Sequence, residues 1–267
     1  MLAKALNLNQ DRIAVTELFG AIPSSAKTAE YVRMLKAIEE NAHIRAMVVD
    51  IDCPGGGASA SEYLYRAVAK VKAKKPVVAF VRGTGASGGY MVGCAATKML
   101  AAPMAIVGSI GVISMRPMLY ELFTKIGVRM EVTKSGRLKD MFSNFREPTD
   151  EERGKEQAML DAFYDRFVDL VANARKMPHD TIRTLATGEI FTAQQAKQSG
   201  LIDALGDVDA AIDEAQALAK LSERKVTYVR PHRTLRERLL TNSASMFADG
   251  LVYALETRML EKRIEYR

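Results

Sequence analysis

Two cysteines, Cys53 and Cys94, allow at most one bridge in 267 residues, which excludes a disulfide framework. Histidines number three, and none has an evident partner. His43 precedes an apolar run, His179 lies in a Met-Pro-His-Asp turn, and His232 falls in a basic stretch. A Ser-His-Asp triad is therefore a poor fit. No His/Cys/carboxylate cluster has metal-ligand spacing, so no metal is expected. The glycine-rich turns lack a dinucleotide-binding context, because Gly83-Thr84-Gly85 does not follow an early first strand. No cofactor is expected. Long apolar runs are also missing. The 17 uncharged residues Met99–Met115 contain Pro103, Gly108, Ser109, Gly111 and Ser114. A membrane helix needs about 20 strongly apolar residues, so this run reads as buried core. The first residues, MLAKALNLNQDRIAV, lack the apolar stretch of a signal peptide.

Apolar residues are plentiful, with 48% hydrophobic against 26% charged, and no Pro/Gly/Ser tract dominates. A sizeable core is expected, and low-complexity disorder is excluded. The net charge of +6 is unevenly placed. Residues 1–219 carry 27 basic and 26 acidic side chains, residues 220–238 seven and two, and residues 239–267 balance. This divides the chain into a domain of residues 1–219 and a basic segment with an arm, 220–267. A basic segment can be a solvated linker or a contact for anionic lipid head groups. Nucleic acid is not expected as a partner, since no aromatic-interleaved basic platform accompanies it. In the arm, Leu239, Phe247, Leu251, Leu255 and Met259 fall near one helical face, as in a subunit contact or a helix lying on a membrane surface.

Along the chain, short apolar runs alternate with amphipathic stretches. Strands are expected at Arg12–Ile22, Ile44–Ile51, Pro76–Val81, Lys98–Ala102, Ala105–Ile113 and Val128–Thr133. Helices are expected at Thr28–Glu40, from Ser59, at Tyr90–Ala96, Met118–Ile126 and Thr149–Lys176. The last opens on a capping box of Thr149 and Glu152 and stacks Phe163, Phe167, Leu170 and Ala174. The continuous Ile44–Ile51 run is that of a buried parallel strand, and the alternation points to α/β architecture with a largely parallel sheet.

Ser87 stands where a strand gives way to a helix, beside Gly88 and Gly89. Free N–H groups there suit acyl transfer, in which a serine oxygen attacks and an oxyanion must be held. The Pro54-Gly55-Gly56-Gly57 turn offers a second donor. Without a histidine, a lysine can serve as base if burial keeps its amine uncharged. Composition does not choose among the lysines.

The chain resembles the signal peptide peptidases of the short, single-domain bacterial and archaeal type, which are Ser–Lys serine peptidases. The resemblance rests on Asp52-Cys53-Pro54-Gly55-Gly56-Gly57, Ala86-Ser87-Gly88-Gly89-Tyr90, Gly108-Ser109-Ile110-Gly111-Val112 and Lys134-Ser135-Gly136-Arg137-Leu138-Lys139-Asp140. It continues in order through Phe145-Arg146-Glu147, Glu151-Glu152-Arg153 and Gly200-Leu201-Ile202-Asp203, and spans roughly residues 12–215. It implies a Clp-protease/crotonase-like α/β fold with mostly parallel sheets, followed by a C-terminal helical extension. Ser87 is then the nucleophile, Lys139 the general base, and Ser109 the residue that orients the lysine. Gly56 and Gly88 form the oxyanion hole. The resemblance also implies a homo-oligomeric ring or dome with sites shared between protomers. Substrates would be hydrophobic peptides such as cleaved signal-peptide remnants. The family's usual membrane anchor has no counterpart here, so membrane association would fall to the surface contact of the basic segment. Two alternatives are an acyl-coenzyme A-processing enzyme of the same superfold, and a non-catalytic membrane-associated scaffold.

Overall fold

Strand β1 (Arg12–Phe19) is parallel to β2 (Ile44–Cys53), and β2 to β3 (Val77–Ala86), making the centre of an eight-stranded sheet. The structure, a computed structural model, describes residues 10–22 and 25–231. The first half of β3 pairs with β4 (Lys98–Ala101) and its last residues with β5 (Ile106–Gly108). Beyond these lie β6 (Ile190–Thr192), antiparallel to β5, and β7 (Ala204–Leu205) on β4. Strand β8 (Val226–Tyr228) closes the other edge on β1. This is the expected α/β architecture with a mostly parallel sheet.

Both faces of the central strands are covered, which is why Ile44–Ile51 reads as an unbroken apolar run. Met47, Val49, Ile51 and Cys53 enter one core, and Ala46 and Val48 enter the other. The first is shared with α1 (Ser25–Glu40), α2 (Ala58–Lys74), α3 (Gly88–Cys94) and the end of α5 (Asp150–Arg175). On the opposite face, Ala211, Ile212 and Ala215 of α8 (Val208–Leu218) cover the sheet. The short helices α4 (Tyr120–Lys125), α6 (His179–Leu185) and α7 (Ala193–Gln198) complete the series.

Helix α5 starts at the expected capping box: Thr149 Oγ1 accepts from the Glu152 N–H, and the Glu152 carboxylate accepts from the Thr149 N–H. At 26 residues it is about 39 Å long. Of the stripe read from the sequence, Phe167 and Leu170 are buried, whereas Phe163 is 42% exposed. The first half of α5 therefore stands clear of the core.

Three expectations change. Val128–Thr133 forms no strand. Val128, Met130 and Val132 have the alternation of one, but among the described residues no strand pairs with this segment, and all three are exposed. The strand expected over Ala105–Ile113 shrinks to Ile106–Gly108, because Gly108 (φ 102°) and Ser109 (φ 49°) turn the chain away from the sheet. The uncharged run Met99–Met115 is buried core at Met99–Ala101, Ala105, Val107 and Ile110, but Met104, Ile113 and Met115 are each more than 80% exposed. Apolar side chains continue on the surface through Leu122, Ile126 and Phe142.

The compact unit extends through Arg230, so that β8, inside the basic segment, belongs to the sheet. Within that segment Arg224 pairs with Asp209 and Asp213, Lys225 with Glu223, and Arg230 with Glu17. The arm carrying Leu239 to Met259 lies outside the described residues, as do His232, Arg233, Arg236 and Arg238. Among the described residues, no helix is long and apolar enough to cross a membrane.

Candidate active site

Strand β3 ends at Ala86, α3 begins at Gly88, and Ser87 between them has φ 51° and ψ −120°. Such a conformation costs a non-glycine residue about 1–3 kcal/mol and persists where the surroundings over-determine it. Here they do so through the backbone. The Ser87 N–H donates to Gly108 O (2.8 Å), and Ser87 O accepts from Met91 N (2.9 Å). The hydroxyl itself makes no hydrogen bond among the described residues, and the residue is half-buried.

Two glycines let the chain close around this turn. A Cβ on Gly88 would come within 2.1 Å of Ser61 Oγ. One on Gly55, where φ is 106°, would meet Gly88 N at 2.8 Å and Ser87 Cβ at 2.9 Å. The Pro54–Gly57 turn thus lies directly against Ser87 and Gly88. It is held there from the other side, since Gly55 O accepts from Ile22 N (2.7 Å) and Asp52 O from Gly20 N (2.8 Å). Neither the Gly56 nor the Gly88 N–H donates a hydrogen bond among the described residues. Ser109 follows Gly108, the residue that accepts from Ser87, and its own N–H donates to Glu189 O (2.7 Å).

Lys139 is placed differently. It is exposed in a turn, with its N–H on Gly136 O (3.1 Å), and its amine makes no hydrogen bond or ion pair among the described residues. One chain therefore brings together Ser87, Gly55, Gly56, Gly88 and Ser109, and does not bring Lys139 into contact with either serine.

Other nucleophiles and bases are accounted for elsewhere. Burial pushes the Cys53 thiol up, and the Cys94 thiol to about 12, so both stay protonated. His43 approaches Asp11 and His179 approaches Asp169, both away from Ser87. Asp50 is 2% exposed; burial raises its carboxyl pKa against the pull of Arg82, whose guanidinium lies 2.5 Å away.

The sequence assigns no role to two further contributors, although both stand within motifs that carry the resemblance. The pairing of β2 with β3 slips between Ile51↔Val81 and Cys53↔Gly85, so β3 uses four residues where β2 uses two. Asp52 fills the irregularity: its Oδ1 accepts from the Thr84 N–H (2.9 Å). The other is Arg146, which joins Asp140, next to Lys139, to Glu152 at the start of α5.

Solved structures share the fold. A serine-to-alanine mutant of the 1510-N membrane-bound stomatin-specific protease superposes with a TM-score of 0.56 at 16% identity, over 84% of this chain and all of its own. ClpP1 from Listeria monocytogenes follows with 0.51 at 15%, over 74% of this chain and 94% of its own. The fold is thus ClpP-like. In sequence, the model of peptidase family S49 matches residues 69–222.

The chain belongs to peptidase family S49.

A candidate protease of Methanocaldococcus jannaschii is 35% identical over 208 residues, 78% of this chain and 67% of its own length. The chloroplastic serine protease SPPA of Arabidopsis thaliana is 33% identical over 233 residues, 82% of this chain but 34% of its own. Protease 4 of Salmonella typhi is 33% identical over 217 residues, again with about a third of its length (35%) covered. This S49 protein is accordingly a serine peptidase.

The loop that carries Lys139 is expected to be acid-sensitive. The Arg146 guanidinium and the Thr149 N–H hold the Glu152 carboxyl at about 2, down from 4.5, and Arg146 with Lys134 holds the Asp140 carboxyl well below its ordinary range. Between pH 4.5 and about 2 the unfolded chain binds more protons at Glu152 than the folded one. The stability this contact contributes is therefore complete above pH 4.5 and lost as the pH falls toward 2. Melting temperature against pH is expected to fall less steeply on the acid side in Glu152→Gln than in the wild type. Parallel curves would show that the contact contributes nothing.

Proposed function

We propose that this S49 peptidase is an endopeptidase for apolar peptides, with Ser87 as nucleophile and Lys139 as general base, supplied to one site by neighbouring copies. The observation that carries the reading is the complementarity of two halves. Ser87 has a free hydroxyl in a strained strand-to-helix turn, and Lys139 has a free amine on an exposed loop of the same chain.

Ser87 Oγ attacks the scissile carbonyl carbon as its proton passes to Lys139 Nζ. The oxyanion is received by the Gly56 and Gly88 N–H groups, whose donors are otherwise unused. The lysine ammonium then protonates the leaving amine. The amine, uncharged again, activates the water that releases the acyl group. Ser109, beside the serine turn, orients the lysine. The base must be uncharged to act, and an apolar neighbouring surface closing over the site provides the desolvation this needs.

The exposed apolar residues Ile113, Met115, Leu122 and Ile126, between the serine and lysine segments, support a homo-oligomer as the working form, because a patch of this kind is usually covered. They also favour apolar substrates. A relative in Enterococcus faecium is named a candidate signal peptide peptidase, which makes signal-peptide remnants the substrate class to try first. A lysine-to-alanine mutant of the 1510-N protease, at 14% identity, is described in complex with a substrate peptide, in keeping with a lysine needed for turnover in that protein. Three of the four described basic residues beyond Ala219 already pair within the chain, so in the basic segment any attraction to an anionic membrane surface rests on Lys220, Arg233, Arg236 and Arg238.

Subunit mixing tests the sharing. Ser87→Ala and Lys139→Ala proteins, each inactive alone, are expected to regain part of the wild-type turnover of an apolar fluorogenic peptide after dissociation and joint reassembly. No recovery in samples whose intact-assembly masses show mixed subunits would place both residues within one chain.

A further inference from the structure

The loop that presents Lys139 has little of its own to hold it. Residues 126–149 contain no strand and no helix, and Lys139 lies in a turn closed only by local backbone bonds: Lys139 N to Gly136 O (3.1 Å), Met141 N to Leu138 O (3.2 Å) and Ser143 N to Asp140 O (2.9 Å). Many of its apolar side chains face outward. A general base must be held within a fraction of an ångström, so something else has to fix this turn.

That group is Arg146. Its Nε donates to Asp140 Oδ2 (2.9 Å) and its Nη2 to the Asp140 backbone oxygen (3.2 Å), so it grips the residue after Lys139 by side chain and main chain together. The rest of the fork takes Glu152 in a bidentate pair, Nη1 to Oε2 (2.8 Å) and Nη2 to Oε1 (2.5 Å), with Nη1 also on Glu147 O (3.0 Å). Glu152 is 3% exposed and closes the capping box of α5, whose far end, Phe167 to Ala172, is in the core. One planar guanidinium thus ties the turn to a rigid helix, a task a lysine could not perform.

The neighbouring charges are also committed. Lys134 pairs with Asp140 and Arg137 with Glu151, so the carboxylate next to Lys139 is already engaged, while Glu131 at the start of the loop has no ion pair among the described residues. We infer that Arg146 is a positioning residue for the base, fixing Lys139 through Asp140 and the first turn of α5. The inference rests on the reading of Lys139 as base and adds the device that aims it.

The test is a mutant cycle on the full chain, with an activated ester whose good leaving group keeps residual turnover measurable. Arg146→Gln is expected to lower kcat about 10- to 100-fold, the cost of a misaimed catalytic group, with KM little changed. In a Lys139→Ala background the same substitution is expected to cost nothing further, because the group it aims is gone. Asp140→Ala leaves the Arg146–Glu152 pair and the cap intact, and is expected to behave the same way if Arg146→Gln fails to assemble. Full activity in both single variants would overturn the inference. So would an equal loss in the presence and absence of Lys139, which marks a merely structural contact. Full activity in Lys139→Ala alone would instead overturn the assignment of the base, so the two failures are distinguishable.

Discussion

Replacing Ser87 with alanine is expected to lower kcat/KM for an apolar peptide by about 10⁴-fold or more, the scale on which serine peptidases lose activity with their nucleophile. Folding should survive. The Ser87 hydroxyl has no partner, and the contacts that fix the turn, to Gly108 O and from Met91 N, belong to the backbone and remain in the variant. Alanine and serine also bear a positive φ at similar cost, so the strain of the turn is unchanged. The unfolding free energy should therefore change by no more than about 0.5 kcal/mol, the range of a surface substitution. Hydrolysis retained in Ser87→Ala would remove Ser87 as the nucleophile, whereas no hydrolysis by either the wild type or the variant would favour the non-catalytic scaffold.

Lys139→Ala is expected to cost about 10²- to 10⁴-fold in kcat, the contribution of a positioned general base. Stability should again be spared, since the side chain is exposed and unpaired. Lys139→Arg makes the sharper variant. It retains length and positive charge, but a guanidinium does not deprotonate and so takes no proton from serine. It is expected to be as inactive as Lys139→Ala in steady-state turnover of the same peptide. Wild-type rates in the arginine variant would mean that residue 139 contributes charge rather than basicity. Strong coenzyme A binding without peptide hydrolysis would instead favour the acyl-coenzyme A alternative.

Much of the fold was legible in residue pattern because its elements satisfy themselves locally. The Ile44–Cys53 run is apolar on both faces and becomes the central strand covered on both sides, and Thr149 with Glu152 starts α5 where a capping box should. Val128–Thr133 failed for the opposite reason. Its alternation describes a strand, but the backbone partner a strand requires is not found among the described residues. The uncharged run through Met115 misled differently, since composition does not separate the buried Ala105, Val107 and Ile110 from the exposed Met104, Ile113 and Met115. Within the site, Ser87 and the Gly55–Gly57 turn stood out because close backbone approach demands small residues at fixed places. Asp52 and Arg146 left no such mark. Their work is done by hydrogen bonds, one from Thr84 N to Asp52 and several from Arg146 to Asp140 and Glu152, and such contacts impose no period on the sequence. Lys139 was chosen by family resemblance, and its exposure within one chain is what a site completed by a second copy would look like.

The central claim is that Ser87 is a nucleophile activated by Lys139. Intact-mass analysis after exposure to a fluorophosphonate serine probe, followed by peptide mapping, tests it most directly. One adduct per chain on Ser87 is expected in the wild type, forming far more slowly in Lys139→Ala and not at all in Ser87→Ala. An adduct on another residue, or labelling of Ser87 at the same rate without Lys139, would contradict the account.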